Sequence, residues 1–397
     1  MKKNLRRFVM QAGLPSAVVV LSIAILGSLL LWKITRLVPG WSAAELATKA
    51  ASINHHVLLS NPVNAPYKVI VYGLLKVAPH SVLALRLVSV AYGALTIGLF
   101  YYVVRCWHSA RIAWLSSLLF ACSSWFLLTA RLGTPDVLLF SLLTLTALGL
   151  MLQRTRHRTI MLYVLAVVAG MSLYVPGLIW FVCIAAFWQR AIIKKALRRA
   201  PIWLSILAAV SALLVLVPMG LAIAKHGQLA WAIFGLPAHL PTPITILKHL
   251  GDVPLNIFIR GPLMPGLWVG RSPLLDVFES VLFIFGVYAY WQHRRLARFA
   301  SLFSIFILTS ILIALGGPVS LSLLLPFVYL VIATGMAFLL GEWLSVFPRN
   351  PLARGLGLSV VVIAVLVSCT YQINRYFVAW PHTPGTTTVF SQPPPKS

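Results

Sequence analysis

The chain is a series of long apolar runs broken by short polar ones. Runs near 15–33, 82–104, 112–130, 135–152, 202–223, 274–291, 299–315, 319–341 and 356–373 approach or exceed the length of a membrane-crossing helix, which takes about 20 mostly apolar residues. Two shorter runs, 159–174 and 176–189, flank Val175-Pro176-Gly177. They read as a hairpin of short or tilted helices, or as a re-entrant pair. The pattern predicts an all-α polytopic membrane protein with about eleven transmembrane helices.

Composition supports this class: 60% of the 397 residues are hydrophobic and 10% are charged, more apolar surface than a single water-soluble core can hide. Basic residues mark one set of loops: Lys2, Lys3, Arg6, Arg7; Arg105, Arg111; Arg154, Arg156, Arg158; Arg190, Lys194, Lys195, Arg198, Arg199; Arg294, Arg295, Arg298; and Arg349, Arg354. With the N-terminus cytoplasmic, every cluster falls inside, as the positive-inside rule requires. Two insertions, about 34–81 and 224–273, then lie outside a single domain over 1–376, followed by a flexible external tail over 377–397. The expected location is the plasma (cytoplasmic) membrane, with the functional face outward.

The formal charge of +26 would suggest nucleic acid in a soluble protein. Here it is spread over short loops, which reads as topology and attraction to lipid headgroups, with no nucleic-acid partner. Cys106, Cys122, Cys183 and Cys369 stand singly and read as packing residues. No phosphate-binding glycine loop, His-Glu-x-x-His or Gly-x-Ser-x-Gly motif occurs, which disfavours a nucleotide-driven pump or a common hydrolase. His55-His56, with His239 and His249 in the second insertion, are weak candidates for a divalent metal; adjacent histidines at a helix end point apart and seldom chelate together, so no cofactor is assigned and the metal reading stays the weaker one.

With only six carboxylates in the chain, the charges outside the inner loops carry the chemistry. Glu45 follows Ser42 at capping-box spacing in a stretch that forms a good helix through Ser52, and it also faces the outer mouth of the bundle. Arg86 sits about one turn inside its span, where it can snorkel to the headgroup level as a phosphate clamp or serve as an interface anchor. Asp136 follows Thr134-Pro135 at a helix start, a position that suits an acid in any case. The stretch 67–78, with Lys68 and Lys76, reads as an interfacial helix with its lysines toward headgroups.

Asn64-Ala65-Pro66, then Leu83-Ala84-Leu85-Arg86-Leu87-Val88-Ser89-Val90-Ala91-Tyr92-Gly93-Ala94, then Ala130-Arg131-Leu132-Gly133-Thr134-Pro135-Asp136 resemble in order and spacing the protein O-mannosyltransferase and aminoarabinose-lipid A transferase group. Ser272-Pro273-Leu274-Leu275-Asp276 and Leu325-Pro326 through Thr334-Gly335-Met336 are similar to later spans of that group. The resemblance implies a C-type glycosyltransferase fold with interfacial helices in the first external loop. It also implies a polyprenyl-phosphate sugar donor and transfer to an extracytoplasmic protein, glycan or lipid acceptor.

The group's first loop carries an acidic pair that serves as, or positions, the catalytic base; here the place reads Ala44-Glu45, so one acid is replaced. The phosphate-binding arginine matches Arg86, and Arg131 and Asp136 match the group's Arg and Asp beside the next external turn. A lysine that some members place before the loop proline is Ala65 here, so that contact is missing or is supplied by Lys68. Inverting transfer needs one base and cationic stabilisation of the departing phosphate. Glu45 is the expected base, Arg86 the clamp, and Asp136 the partner of Arg131 or of the acceptor, with Lys248, Arg260 and Arg271 as further cations. The alternative is a non-catalytic relative acting as a lipid-linked sugar carrier, flippase or scaffold.

Overall fold

The computed structural model describes residues 16–38, 40–78, 81–155, 158–188, 190–199, 201–262, 264 and 268–390. Every element among them is helical, as expected of a chain whose backbone groups must be satisfied internally within lipid. Six helices are long and apolar enough to cross a membrane: Val82–Trp107, Pro135–Arg154, Ile202–Lys225, Ala297–Ala314, Leu325–Val346 and Pro351–Ala379. Ala110–Cys122 and Ser124–Arg131, joined at a 65° bend, make a seventh if taken together. Shorter apolar helices occupy the remaining expected positions: Val20–Leu31, Ile160–Ser172, Leu178–Trp188 and Val277–Gln292. The eleven runs are therefore all helical, but four of them fall short of a full crossing by length.

The tightest helix pair is Val277–Gln292 against Leu325–Val346. Glycines on facing surfaces let the two backbones touch, since a Cβ on Gly335 would lie 1.8 Å from the Leu282 carbonyl oxygen and one on Gly286 2.1 Å from that of Val331. Close approach over small residues is how helices gain dispersion contact where lipid removes the hydrophobic drive. Polar side chains then fix the register. The buried Glu279 carboxylate accepts from the Tyr329 hydroxyl at 2.6 Å, from Gln372 Nε2 at 2.9 Å and from the Asp276 amide at 3.0 Å. Gln372 in turn accepts from the Ser124 hydroxyl at 2.7 Å, so four helical segments meet at one network.

Two local breaks shape the region discussed below. Ser123 leaves the helical conformation between the two halves of the bent pair, at φ −53° and ψ 127°, and that turn carries Arg131, the last residue of the second half, into the bundle. At the end of the last span the helix widens into a π-turn over Arg375–Ala379, a form often found at functional positions. The chain then continues as Pro384–Val389, with Phe390 buried against Trp380 at 5.6 Å between ring centroids. The expected flexible tail from 377 is thus folded as far as Phe390, because these aromatic rings pack into the core.

The first insertion folds into Ala43–Ser52, His55–Ser60 and Ala65–Val77. The last has an apolar outer face of Val69, Ile70, Leu74 and Val77, and buries Tyr67, Val71 and Leu75. Lys76 is exposed as expected. Lys68 is not: it is buried and donates to the Asn61 carbonyl at 3.0 Å.

Gly335→Ala should lower stability by about 1–3 kcal/mol, the usual cost of overpacking. Gly341→Ala, whose added Cβ meets nothing within 4 Å, should be near neutral. Thermal unfolding of the detergent-solubilised protein compares the two.

Candidate functional site

Glu45 and Arg86 meet inside the protein, exposed by 0% and 2% respectively. Arg86 Nε donates to Glu45 Oε1 at 2.8 Å and Nη2 to Oε2 at 3.1 Å, the side-on fork that suits guanidinium and carboxylate. The other donors of Arg86 reach the carbonyls of Ile34 at 2.7 Å and Gly40 at 3.3 Å. Glu45 also accepts from the Ser42 amide and hydroxyl at 3.1 and 3.2 Å and from the Gly133 amide at 3.0 Å. The capping box read from Ser42-x-x-Glu45 is present, so one carboxylate caps its own helix and holds Arg86 at the same time.

This arrangement revises two expectations. Glu45 has five donors on its two oxygens and no access to solvent, so in this state it cannot take a proton from an acceptor. Arg86 does not snorkel to the headgroups, because Ile34, Leu37, Val38 and Gly40 lie over it. Burial works to raise the Glu45 pKa, but the hydrogen bonds and charge of Arg86, with the amides of Gly133 and Ser42, bring it below its ordinary value of 4.5.

Arg131 lies beside Arg86 and lines a cavity with it; Ile34, Leu37, Val38, Leu132, Tyr376 and Trp380 complete the wall. Its exposure is 2%. Nη2 donates to the Trp32 carbonyl, while Nε and Nη1 meet no acceptor among the described residues. The guanidinium instead rests on the rings of Phe377 and Tyr376, 4.6 and 5.2 Å from their centroids. Such contacts ease the burial of a cation but do not supply hydrogen-bond acceptors. The cavity holds about 10 Å³, near the lower limit for one water molecule.

Asp136 does not pair with Arg131 as expected. Among the described residues the ion pairs are Glu45–Arg86 and Asp252–Arg260. Asp136 accepts from the Thr134 hydroxyl at 3.3 Å, and it is exposed. Nearby, the Tyr67 hydroxyl lies 2.8 Å from Ser89 Oγ and 3.1 Å from the Leu85 carbonyl, and Ser89 reaches the Thr134 carbonyl at 3.4 Å. Burial is the main cause that pushes the Tyr67 phenol up, with Glu45 and Asp136 adding to it. Tyr67 therefore remains a neutral hydroxyl at working pH.

The remaining candidates stand outside this cluster. Lys248 and Arg271 are exposed, Arg260 is held by Asp252 at 3.2 Å, and none of the three lines the cavity. Burial pushes the Lys68 ammonium down to about 8. His55 and His56 are exposed with their rings tilted by 38° and their centroids 4.0 Å apart, and no group of three metal-ligating side chains forms among the described residues. Trp32, Tyr67, Tyr376 and Trp380 were not legible as site residues. The signal for the last two was their spacing next to Arg375 at the end of an apolar run.

Replacing Glu45 by Gln should destabilise the protein by about 3–5 kcal/mol, since it leaves Arg86 buried without its counter-charge. The depressed Glu45 pKa means that its stabilisation is present above the unfolded value and is lost as pH falls through the folded one. Unfolding measured between pH 7 and 3 should show that acid loss in the wild type and less of it in Glu45→Gln.

Residues 60–221 match the family described as dolichyl-phosphate-mannose-protein mannosyltransferase. No curated protein matches the chain in sequence comparison. Among solved structures, the chain is similar to ArnT from Cupriavidus metallidurans in the apo state, with a TM-score of 0.51 at 14% identity, covering 94% of this chain and 76% of that one. It is similar also to the same protein bound to undecaprenyl phosphate, with a TM-score of 0.53 at 14% identity, covering 95% and 77%. In family signature over 60–221 the chain resembles the dolichyl-phosphate-mannose-protein mannosyltransferases, and in fold over nearly its whole length it resembles ArnT.

Proposed function

We propose that this protein is a membrane glycosyltransferase that moves a sugar from a polyprenyl-phosphate carrier to an extracytoplasmic acceptor, with inversion at the transferred carbon. The observation that carries this reading is Arg131, a buried guanidinium with two unpartnered donor nitrogens on a cavity it shares with Arg86. An unpaired buried cation is costly unless an anion completes it. A lipid phosphate has the charge and the acceptor oxygens that such a fork takes up. The family match over 60–221 and the fold shared with a protein whose structure holds undecaprenyl phosphate support that choice of anion.

In the proposed reaction the bond between the sugar and the carrier phosphate breaks as the acceptor oxygen attacks the opposite face, and the phosphate leaves with the bonding pair. Arg131 stabilises the charge that grows on it, in a setting with little water. The acceptor proton passes to a carboxylate, and Asp136, which is exposed, takes that role in place of the sealed Glu45. Glu45 acts through Arg86, fixing the wall against which the phosphate docks. Lys68, buried without a carboxylate partner, is a further candidate for the carrier's phosphate. The small cavity requires residues 32–38 or Trp380 to move before a headgroup enters.

The non-catalytic alternative has one observation in its favour: the family's first acidic position is Ala44, and Glu45 is fully engaged. Binding and transfer separate the two readings. Arg131→Gln should weaken undecaprenyl phosphate binding by about 10–100-fold, the scale of a lost charge-assisted hydrogen bond. Asp136→Asn should keep binding and lose about 100-fold or more in transfer, measured with a panel of polyprenyl-phosphate sugars in reconstituted vesicles. Full transfer by Asp136→Asn overturns its role as base; binding without transfer by the wild type favours the carrier or scaffold.

A further inference from the structure

The helix Arg190–Arg199 joins two lipid-exposed helices, Leu178–Trp188 and Ile202–Lys225, and packs against the first of them and against Arg158–Ser172. Five of its ten residues are Arg or Lys and none is acidic. Lys194, Lys195 and Arg198 are exposed and, with Ala191, line a shallow, open groove along one face of the helix. The spacing explains the convergence, since residues three and four apart stack on one side of a helix. The ion pairs among the described residues lie elsewhere, at Glu45–Arg86 and Asp252–Arg260. These three cations thus share a groove without a carboxylate to neutralise them.

The neighbouring residues place this groove at a lipid boundary. Phe187 and Trp188, just before the helix, are exposed, and so are Ile202 and Trp203 just after it. Aromatic residues on both sides of a short basic helix are the usual mark of the headgroup layer. Arg190 lies over the Phe187 ring at 4.9 Å, which bends one cation back toward that layer. Beyond Trp203, Ile206, Leu207, Val210, Leu213 and Leu214 are exposed and continue the apolar face along which acyl chains can lie.

We propose that this groove is a binding site for an anionic phospholipid of the adjoining leaflet, its phosphate held by Lys194, Lys195 and Arg198 and its chains lying along Ile202–Lys225. Basic clusters at helix ends recognise anionic headgroups by charge and exclude zwitterionic ones by the same means. The site stands apart from the proposed transferase centre.

The full-length protein in nanodiscs of phosphatidylcholine with increasing phosphatidylglycerol provides the test. Bound lipid is counted by native mass spectrometry after release, for the wild type, for Lys194→Gln/Lys195→Gln/Arg198→Gln and for the charge-preserving Lys194→Arg/Lys195→Arg. The wild type and the arginine variant should retain phosphatidylglycerol selectively, and the glutamine variant should lose at least tenfold in apparent affinity. Because all three side chains are exposed, the fold should survive, and an unchanged unfolding temperature in phosphatidylcholine confirms it. Equal retention by the glutamine variant overturns the site. Displacement of the lipid by millimolar inorganic phosphate would also overturn it, by showing that free phosphate rather than a membrane lipid is the ligand.

Discussion

Burying Arg86 is the constraint from which the rest of this region follows. A guanidinium that is 2% exposed must find acceptors for its donors, and the chain supplies them by folding its first insertion down onto the start of Val82–Trp107. Glu45 comes from the helix Ala43–Ser52, the carbonyls come from residues 34 and 40, and the Gly133 amide closes the far side of the carboxylate. The geometry at Gly133 is tight for the same reason: a Cβ there would lie 2.8 Å from that of Leu85 and 3.3 Å from Glu45 Oε1. One ion pair therefore locks three parts of the chain that are distant in sequence.

That lock also explains why Arg131 stands alone. The chain has 32 basic residues and six acidic ones, and the carboxylate nearest the two arginines is already taken by Arg86. Arg131 is carried inward by the break at Ser123 and is left with ring faces and a single carbonyl. In the proposed reaction the pair serves as scaffold and the unpaired cation as the position that meets the phosphate. The sequence resemblance had assigned the phosphate to Arg86, since one turn into a span is a natural snorkelling depth. It could not show that a loop would cover it.

The apolar runs were legible because hydropathy and helix length leave few other structures within lipid. Ser42-x-x-Glu45 was legible as a cap because that motif is local. What stayed hidden depends on tertiary contact. Glu279, Tyr329 and Gln372 are far apart in the chain and form one network only when three helices pack. The π-turn at Arg375–Ala379 has no local signature, yet it turns Tyr376 and Phe377 under Arg131 and sends Arg375 to the carbonyls of Ser272 and Pro273. The expectation of a free tail failed there for the same reason, since Trp380 and Phe390 find their partners only in the folded bundle.

Because the cavity beside the arginines holds about 10 Å³, the described state is closed, and the decisive evidence lies in the occupied one. A structure of the complex with undecaprenyl phosphate tests the assignment most directly. The phosphate oxygens should lie about 3 Å from Arg131 Nε or Nη1, with the Glu45–Arg86 pair intact and residues 32–38 or Trp380 displaced. A phosphate seated on Arg86 with Glu45 driven off, or bound away from both arginines, would contradict it.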